Sequence, residues 1–326
     1  MPDVFLTGGT GYVGGLVLDR LVAEGRSVRA LVRDGAGRDR VLEAGAAEAV
    51  RGDVLDLASL HAGASGCPVV YHAGGVNALC SPDPAQMHRV NVAGSLNVVR
   101  AASDAGVRRV VYTSSAATIG EPHGVIAAED TEHRGSFNTE YERSKHDAER
   151  AVFAAAARLG VDVVAVNPSS VQGPGRTGGT ARLLIGFLTG RLRFAVDVPM
   201  SLVYGADCAA AHLAAERHGG SGERYLVSGV TLTVSEAVAL LGRITGVERT
   251  VRMLPTWVVK AAAAPVGAVF RVLGREAPLC RESARAMLHG HRYDGSRAER
   301  DLGLRYTPAE EWLEETVAWY RQQGLA

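Results

Sequence analysis

The chain has 326 residues, 47 % of them apolar, enough to bury the core of one large α/β domain or two smaller ones and too many for a disordered chain. Its 35 basic and 35 acidic side chains cancel, and no basic block marks a nucleic-acid or anionic-membrane surface, so the expected partner is a small molecule. Cys67, Cys80, Cys208 and Cys280 show no CxxC or CxxH spacing, so neither a metal site nor a disulfide framework is expected and a reducing cytoplasm fits.

The first element is an apolar strand, Val4–Thr7, that runs into Gly8-Gly9-Thr10-Gly11-Tyr12-Val13-Gly14 and then into a helical pattern carried by Val13, Val17, Leu18, Leu21 and Val22. Such a turn suits a dinucleotide: Gly8 permits the tight turn, Gly11 lets backbone approach a pyrophosphate, and Gly14 lets the helix pack closely on the sheet. The phosphates would meet the free N–H groups and positive dipole end of that helix. Because the strand starts at Asp3, no room for a signal peptide is expected before it.

Further strand-like runs follow at Val28–Val32, Ala47–Arg51, Val69–His72, Val107–Ser114, Val161–Asn167 and Arg224–Val227, and helical patterns fall near 12–24, 55–63, 84–105, 139–158 and 207–217. The alternation predicts an α/β fold, a Rossmann-type doubly wound parallel sheet with helices on both faces and ligands beyond the carboxyl ends of the strands. After Pro168 the pattern loosens into Gly173-Pro174-Gly175 and Gly178-Gly179 loops with short helices. The division that follows is a dinucleotide domain of 1–170, rejoined by 205–229, and a smaller substrate lobe of 171–204 and 230–326. The uncharged stretch Ala261–Phe270 contains Pro265 and is too short to span a bilayer, so no membrane span is expected.

Tyr141 and Lys145 stand four residues apart, hence on one face of the 139–158 helix. A lysine cation beside a phenol favours the phenolate, and the same ammonium can hydrogen-bond a ribose. Thr113-Ser114-Ser115 ends the Val110-Val111-Tyr112 strand and offers a hydroxyl to a substrate carbonyl.

Together with Gly52-Asp53-Val54, His72-Ala73-Gly74-Gly75, Val90-Asn91-Val92-Ala93-Gly94-Ser95, Asn167-Pro168-Ser169-Ser170 and Tyr293-Asp294-Gly295-Ser296, these motifs resemble the extended short-chain dehydrogenase/reductase family. Within it the wording is most similar to the dihydroflavonol-reductase-like branch and the hopanoid-associated sugar epimerase group. The resemblance implies Tyr141 as general acid/base, Lys145 as its activator and ribose anchor, and Ser115 as the hydroxyl that orients the carbonyl, with Ser114 as the competing choice. It gives the cofactor Thr7, Gly8, Thr10, Gly11, Tyr12, Val13 and Gly14, then Asp53 and Val54 at the adenine, Ala73, Gly74 and Gly75 along its path, Thr113, and Pro168 and Ser170 on the nicotinamide side. Glycines at 74 and 75, where the family usually carries alanine, would loosen that loop, and Asn91 would support the active-site helix. A homodimer through the helices near 84–105 and 139–158 is also implied.

An acidic residue at the end of the second strand selects NAD, because its carboxylate repels a 2′-phosphate. Here Val32 holds that place, followed by Arg33 and by Arg38 and Arg40 in an Asp-Gly-Ala-Gly stretch read as flexible, so NADP(H) is favoured over NAD(H), with Asp34 the alternative ribose ligand. Where family members that act on nucleotide-diphosphate sugars carry a diphosphate-binding arginine, this chain has Met200; Arg176, Arg182, Arg191 and Arg193 are read as solvated. Val76, Leu79, Phe187, Met200 and Tyr204, with Ser115, would line a pocket for a small, fairly apolar substrate, although for any single one of the apolar five a place in the core is the better reading. Three functions are therefore set side by side. The first is an NADP(H)-dependent carbonyl reductase or alcohol dehydrogenase, with hydride transfer from the cofactor and a proton from Tyr141. The second is a nucleotide-sugar epimerase or dehydratase with recycled cofactor, and the third a non-catalytic dinucleotide sensor, against which the intact Ser115, Tyr141 and Lys145 argue.

Overall fold

The computed structural model describes residues 2–272 and 279–326. Residues 273–278 of the expected substrate lobe lie outside the described residues. The strands are β1 (Val4–Thr7), β2 (Val28–Val32), β3 (Glu48–Arg51), β4 (Val69–His72), β5 (Arg109–Thr113), β6 (Val163–Pro168), β7 (Ser170–Gln172), β8 (Phe194–Ala195), β9 (Pro199–Tyr204), β10 (Arg224–Val227), β11 (Val230–Thr233) and β12 (Arg252–Met253).

Seven of them form one parallel sheet in the order β10-β6-β5-β4-β1-β2-β3. Strand order reverses between β1 and β4, so the crevice beyond Thr7 and His72 is the topological switch point where such sheets take ligands. Side chains alternate across the sheet, and β1 shows the consequence: Val4 and Leu6 join the core under α1 (Tyr12–Ala23) and α8 (Gly205–His218), while Phe5 packs under α3 (Leu57–Ala64) on the other face. All four β1 residues are buried, and burying each of the large apolar side chains contributes about 1.5–3 kcal/mol.

Two elements differ from the sequence expectation. The Asp-Gly-Ala-Gly stretch begins a helix, α2 (Gly35–Glu43), because the Asp34 carboxylate accepts the Gly37 N–H at 2.7 Å and Val41 anchors the far end in the core. The 84–105 helix is interrupted: α4 (Pro84–Arg89) passes through a π turn, Val90–Gly94, into α5 (Ser95–Asp104). That turn presents Asn91, whose amide oxygen accepts the Val76 N–H and whose nitrogen donates to the Val76 carbonyl and to Ser144. Asn91 therefore ties the loop after β4 to α6 (Glu140–Leu159).

Strands β11, β9 and β7 form a separate three-stranded sheet, and β12 pairs with β8. Around them α7 (Ala181–Leu188), α9 (Val234–Thr245) and α13 (Ala309–Gln322) enclose a second core of Leu184, Phe187, Leu202, Leu241, Trp312 and Tyr320. Helices α10 (Thr256–Val272) and α11 (Arg281–His289) lie beyond it, followed by α12 (Ser296–Leu302). Cys80 and Cys280 form a disulfide across 200 residues, which corrects the expectation that no cysteines pair and removes the cysteine argument for a reducing cytoplasm. Spacing gave no signal because the tertiary fold alone brings their Cα atoms to 6.2 Å; Cys67 and Cys208 are free and buried. No helix among the described residues is long and apolar enough to cross a membrane.

Candidate active site

The turn after β1 is built as a cradle. Gly8 sits at φ +80°, and a Cβ there would lie 2.5 Å from the Ala73 carbonyl carbon and the Gly74 nitrogen. A Cβ on Gly14 would lie 2.1 Å from the Gly8 carbonyl oxygen, so α1 can approach the strand only with glycine at that place. Around Gly11, by contrast, the Gly8 oxygen at 3.3 Å is the nearest neighbour, which leaves its outer side open. No side chain caps α1 at its N-terminus, so its first N–H groups face this opening and suit a pyrophosphate. Thr10 and Val13 belong to the same turn.

The neighbouring loop is braced. Ala73 N–H donates to the Thr7 carbonyl and Gly74 N–H to the Thr7 hydroxyl, while a Cβ on Gly74 or Gly75 would meet Thr7 or Asn91 within about 3.1 Å. The two glycines thus allow close packing of this loop on Thr7 and Asn91. Asp53 accepts the Leu55 N–H at 2.9 Å, and Val54 lies against Gly94. At the end of β2, Arg33 is exposed and Arg40 donates to the Thr10 carbonyl at 3.2 Å, which places one guanidinium over the glycine turn. Asp34 is already engaged as the cap of α2.

Helix α6 starts at Thr139, whose hydroxyl accepts the Glu142 N–H, and this cap sets Tyr141 in the first turn and Lys145 one turn later. Lys145 is buried, and its ammonium donates to the Thr113 carbonyl at 2.9 Å and to the Tyr112 hydroxyl at 3.2 Å. Burial pulls the ammonium down to about 8, opposed by the Glu149 carboxylate. Tyr141 differs from the expectation of a lowered phenol: burial raises it, and the Ser115 hydroxyl and the Arg176 guanidinium oppose the rise. The Lys145 ammonium is held at the end of β5.

The two serines point differently. Ser114 is buried and donates to Glu149 Oε2 at 2.5 Å, whereas the partly exposed Ser115 caps the short 3₁₀ turn Ala116–Ile119. Thr113 turns its hydroxyl to His212, so its carbonyl is the part that serves the site. Pro168 ends β6 in register with Val227, and the Ser170 hydroxyl bonds Thr180 and Gln172.

The substrate candidates separate. Val76 and the 49 % exposed Leu79 lie on the loop after β4, beside Cys80. Phe187 is fully buried in the lobe core, Met200 packs against that core, and Tyr204 stacks on Trp312 and donates to Glu315. These three side chains form structure. A cavity of about 790 Å³ lies where the lobe meets the segment 123–138, between Asn138, Val198, Lys260, Arg285 and His289, and none of the six candidates lines it.

Two participants escaped sequence reading. Glu149, one turn after Lys145 on the same face, holds Ser114, Thr118, Asn167 and Arg224 together, and the i, i+4 spacing from Lys145 was the available signal. Arg176, read as solvated, is half-buried with its guanidinium over the Tyr12 ring at 5.5 Å. Its Nε and the Tyr12 hydroxyl are both buried without partners among the described residues.

A family model described as NAD dependent epimerase/dehydratase family matches residues 4–228. The chain belongs to this family. Its motifs are those of the extended short-chain dehydrogenases/reductases, and it is similar over 98 % of both chains to the sterol demethylase protein B of Methylococcus capsulatus, at 33 % identity. A putative dihydroflavonol 4-reductase of Synechocystis is 31 % identical over 98 % of this chain and 95 % of its own. Among solved structures, that of gox2253 superposes with a TM-score of 0.85 at 28 % identity, covering 100 % of this chain and 99 % of the other. The family is one of dinucleotide-dependent oxidoreductases, and the expected fold is the observed one.

Proposed function

We propose that this family member is an NADP(H)-dependent reductase that converts a carbonyl of a small, fairly apolar substrate to the alcohol. The observation that carries the reading is the placement of Tyr141 one helical turn before Lys145, which is anchored at the end of β5 on Thr113 and Tyr112; burial pushes the phenol up, the direction that suits a proton donor. The relative described as a putative dihydroflavonol 4-reductase supports the same direction.

The chain's residues fit the cofactor. The Gly8–Gly14 cradle and the uncapped start of α1 would hold the pyrophosphate, Asp53 and Val54 the adenine end, and Arg33 and Arg40 a 2′-phosphate. When bound, the reduced nicotinamide supplies the hydride that reaches the substrate's carbonyl carbon. Ser115 donates a hydrogen bond to the carbonyl oxygen and orients it. Tyr141 delivers its hydroxyl proton to that oxygen, completing the alcohol and leaving a phenolate that solvent reprotonates. Lys145, anchored on Thr113 and Tyr112, keeps a cation near the developing phenolate and restrains the end of β5. The reading places this chemistry between the 1–170 and 205–229 half and a lobe of 171–204 and 230–326, in a homodimer formed through α4–α6. A Cys80–Cys280 disulfide is more at home in an oxidising compartment than in the cytoplasm.

The test follows absorbance of NADPH and NADH with purified protein, a panel of aromatic and aliphatic ketones, and nucleotide sugars. Consumption of NADPH with a ketone, and at least a tenfold loss of preference for NADPH in Arg33→Ala/Arg40→Ala, is the expected result. Conversion of a nucleotide sugar with no net cofactor oxidation would replace this reading by the epimerase.

A further inference from the structure

Away from the triad, the segment that follows Ser115 meets the segment between α11 and α12 in a cluster of unlike donors. Glu121 Oε1 lies 2.6 Å from His291 Nδ1 and 3.4 Å from His289 Nε2, and the three donor atoms fall within 4.8 Å of one another. Glu121 is 1 % exposed, and its second carboxylate oxygen is buried with no hydrogen-bond partner among the described residues. An unpaired carboxylate oxygen in such a place is costly unless something else satisfies it. Tyr293, also buried, brings its hydroxyl to 3.1 Å from His291 Nδ1.

We propose that Glu121, His289 and His291 form a binding site for a divalent transition-metal ion of the zinc class. Two imidazoles and one carboxylate are the donor set such ions take, at about 2.0–2.2 Å from each atom, which requires donors roughly 3–4 Å apart and only small side-chain shifts here. The supporting shell is in place. Arg134 donates to the Glu121 carbonyl, and the His289 carbonyl accepts from His123. An entry path exists as well, since His123 and His289 line the 790 Å³ cavity, which would also admit water to the remaining coordination position.

The site is a clasp. One ion would join the loop beyond the 3₁₀ turn to the chain at 289–293, reinforcing the single bridge that Ala127 makes with Tyr293. None of Ser115, Tyr141 or Lys145 is a ligand, and the proposal stands whatever substrate the triad serves. Arg134, which pairs with Glu142 beside Tyr141, connects the clasp to the start of α6.

The experiment is metal titration of the whole protein after chelator treatment. Zn²⁺ is expected to bind at one ion per chain and, at about a hundredfold excess over its Kd, to raise the thermal midpoint by about 4 °C. Co²⁺ should give visible bands of a nitrogen and oxygen site, without a thiolate charge-transfer band. Glu121→Gln and, separately, His291→Gln should each lose the ion and the thermal shift. Absence of binding by the wild-type protein, or binding unchanged in both variants, overturns the proposal. If the variants do not fold, the wild-type Co²⁺ spectrum decides: thiolate bands or no bands overturn the site, and nitrogen and oxygen bands whose intensity is lost on His289→Asn sustain it.

Discussion

Along β1 every side chain is buried, and the turn after it leaves no space for one extra methyl at Gly8 or Gly14; in the lobe around β7–β9 and β11–β12 the strands are two to six residues long and a disulfide joins segments 200 residues apart. Most of the dinucleotide half is laid down as consecutive, locally patterned elements, each strand feeding a helix, and α8 returns to it through Glu216 with Tyr71 and Arg26. The lobe packs its own core through residues distant in sequence, Phe187 and Trp312, and is tied to the dinucleotide half by Asp207 with Thr307 and Cys80 with Cys280. The first arrangement tolerates almost no change at the ligand crevice, whereas the second can vary its surface while keeping its core.

The contrast can be broken most sharply at Gly14. Gly14→Ala must displace the Gly8 carbonyl, so NADPH affinity should fall by at least about 10²-fold, read by quenching of protein fluorescence, while Leu79→Ala on the lobe-facing loop changes it less than about twofold. Equal losses would erase the distinction. Tyr141→Phe should lower kcat by about 10²–10⁴-fold with NADPH affinity kept, because only the proton donor is removed; retained turnover would end the acid/base assignment.

A smaller effect tests the electrostatics inside α6. Lys145 is buried and held down to about 8, so reduction should decline as pH rises through that value while Tyr141 stays protonated. Glu149→Gln removes the charge that supports the ammonium and should move the decline to lower pH, and an unmoved profile would separate Glu149 from the site. The same shift has a stability sign. The folded ammonium releases its proton more readily than the unfolded one, so its burial penalty is present in full below about pH 8 and is relieved as pH rises toward the ordinary lysine range. The smallest effect on the dinucleotide half is expected from reducing Cys80–Cys280: NADPH affinity should change less than about twofold, while the lobe becomes easier to unfold and digest. Thiol titration of the unfolded, unreduced chain should count the two free cysteines.

Sequence by itself determined the sheet, because the 2.0 and 3.6 periodicities of apolar residues and the glycine turn are local facts; the first four strands and β10 coincide with their expected ranges to within a residue. It also brought Tyr141 and Lys145 to one helix face, since that spacing is fixed by helix geometry. Only the tertiary structure decided that Ser114 is spent on Glu149, that Phe187 is buried in a core against which Tyr204 packs, that Asp34 caps a helix, and that Arg176 lies over Tyr12. Only it, too, joined Cys80 to Cys280 and gathered Glu121 with His289 and His291. Each of these depends on the direction of a side chain or the meeting of distant segments, which packing sets and no local pattern encodes.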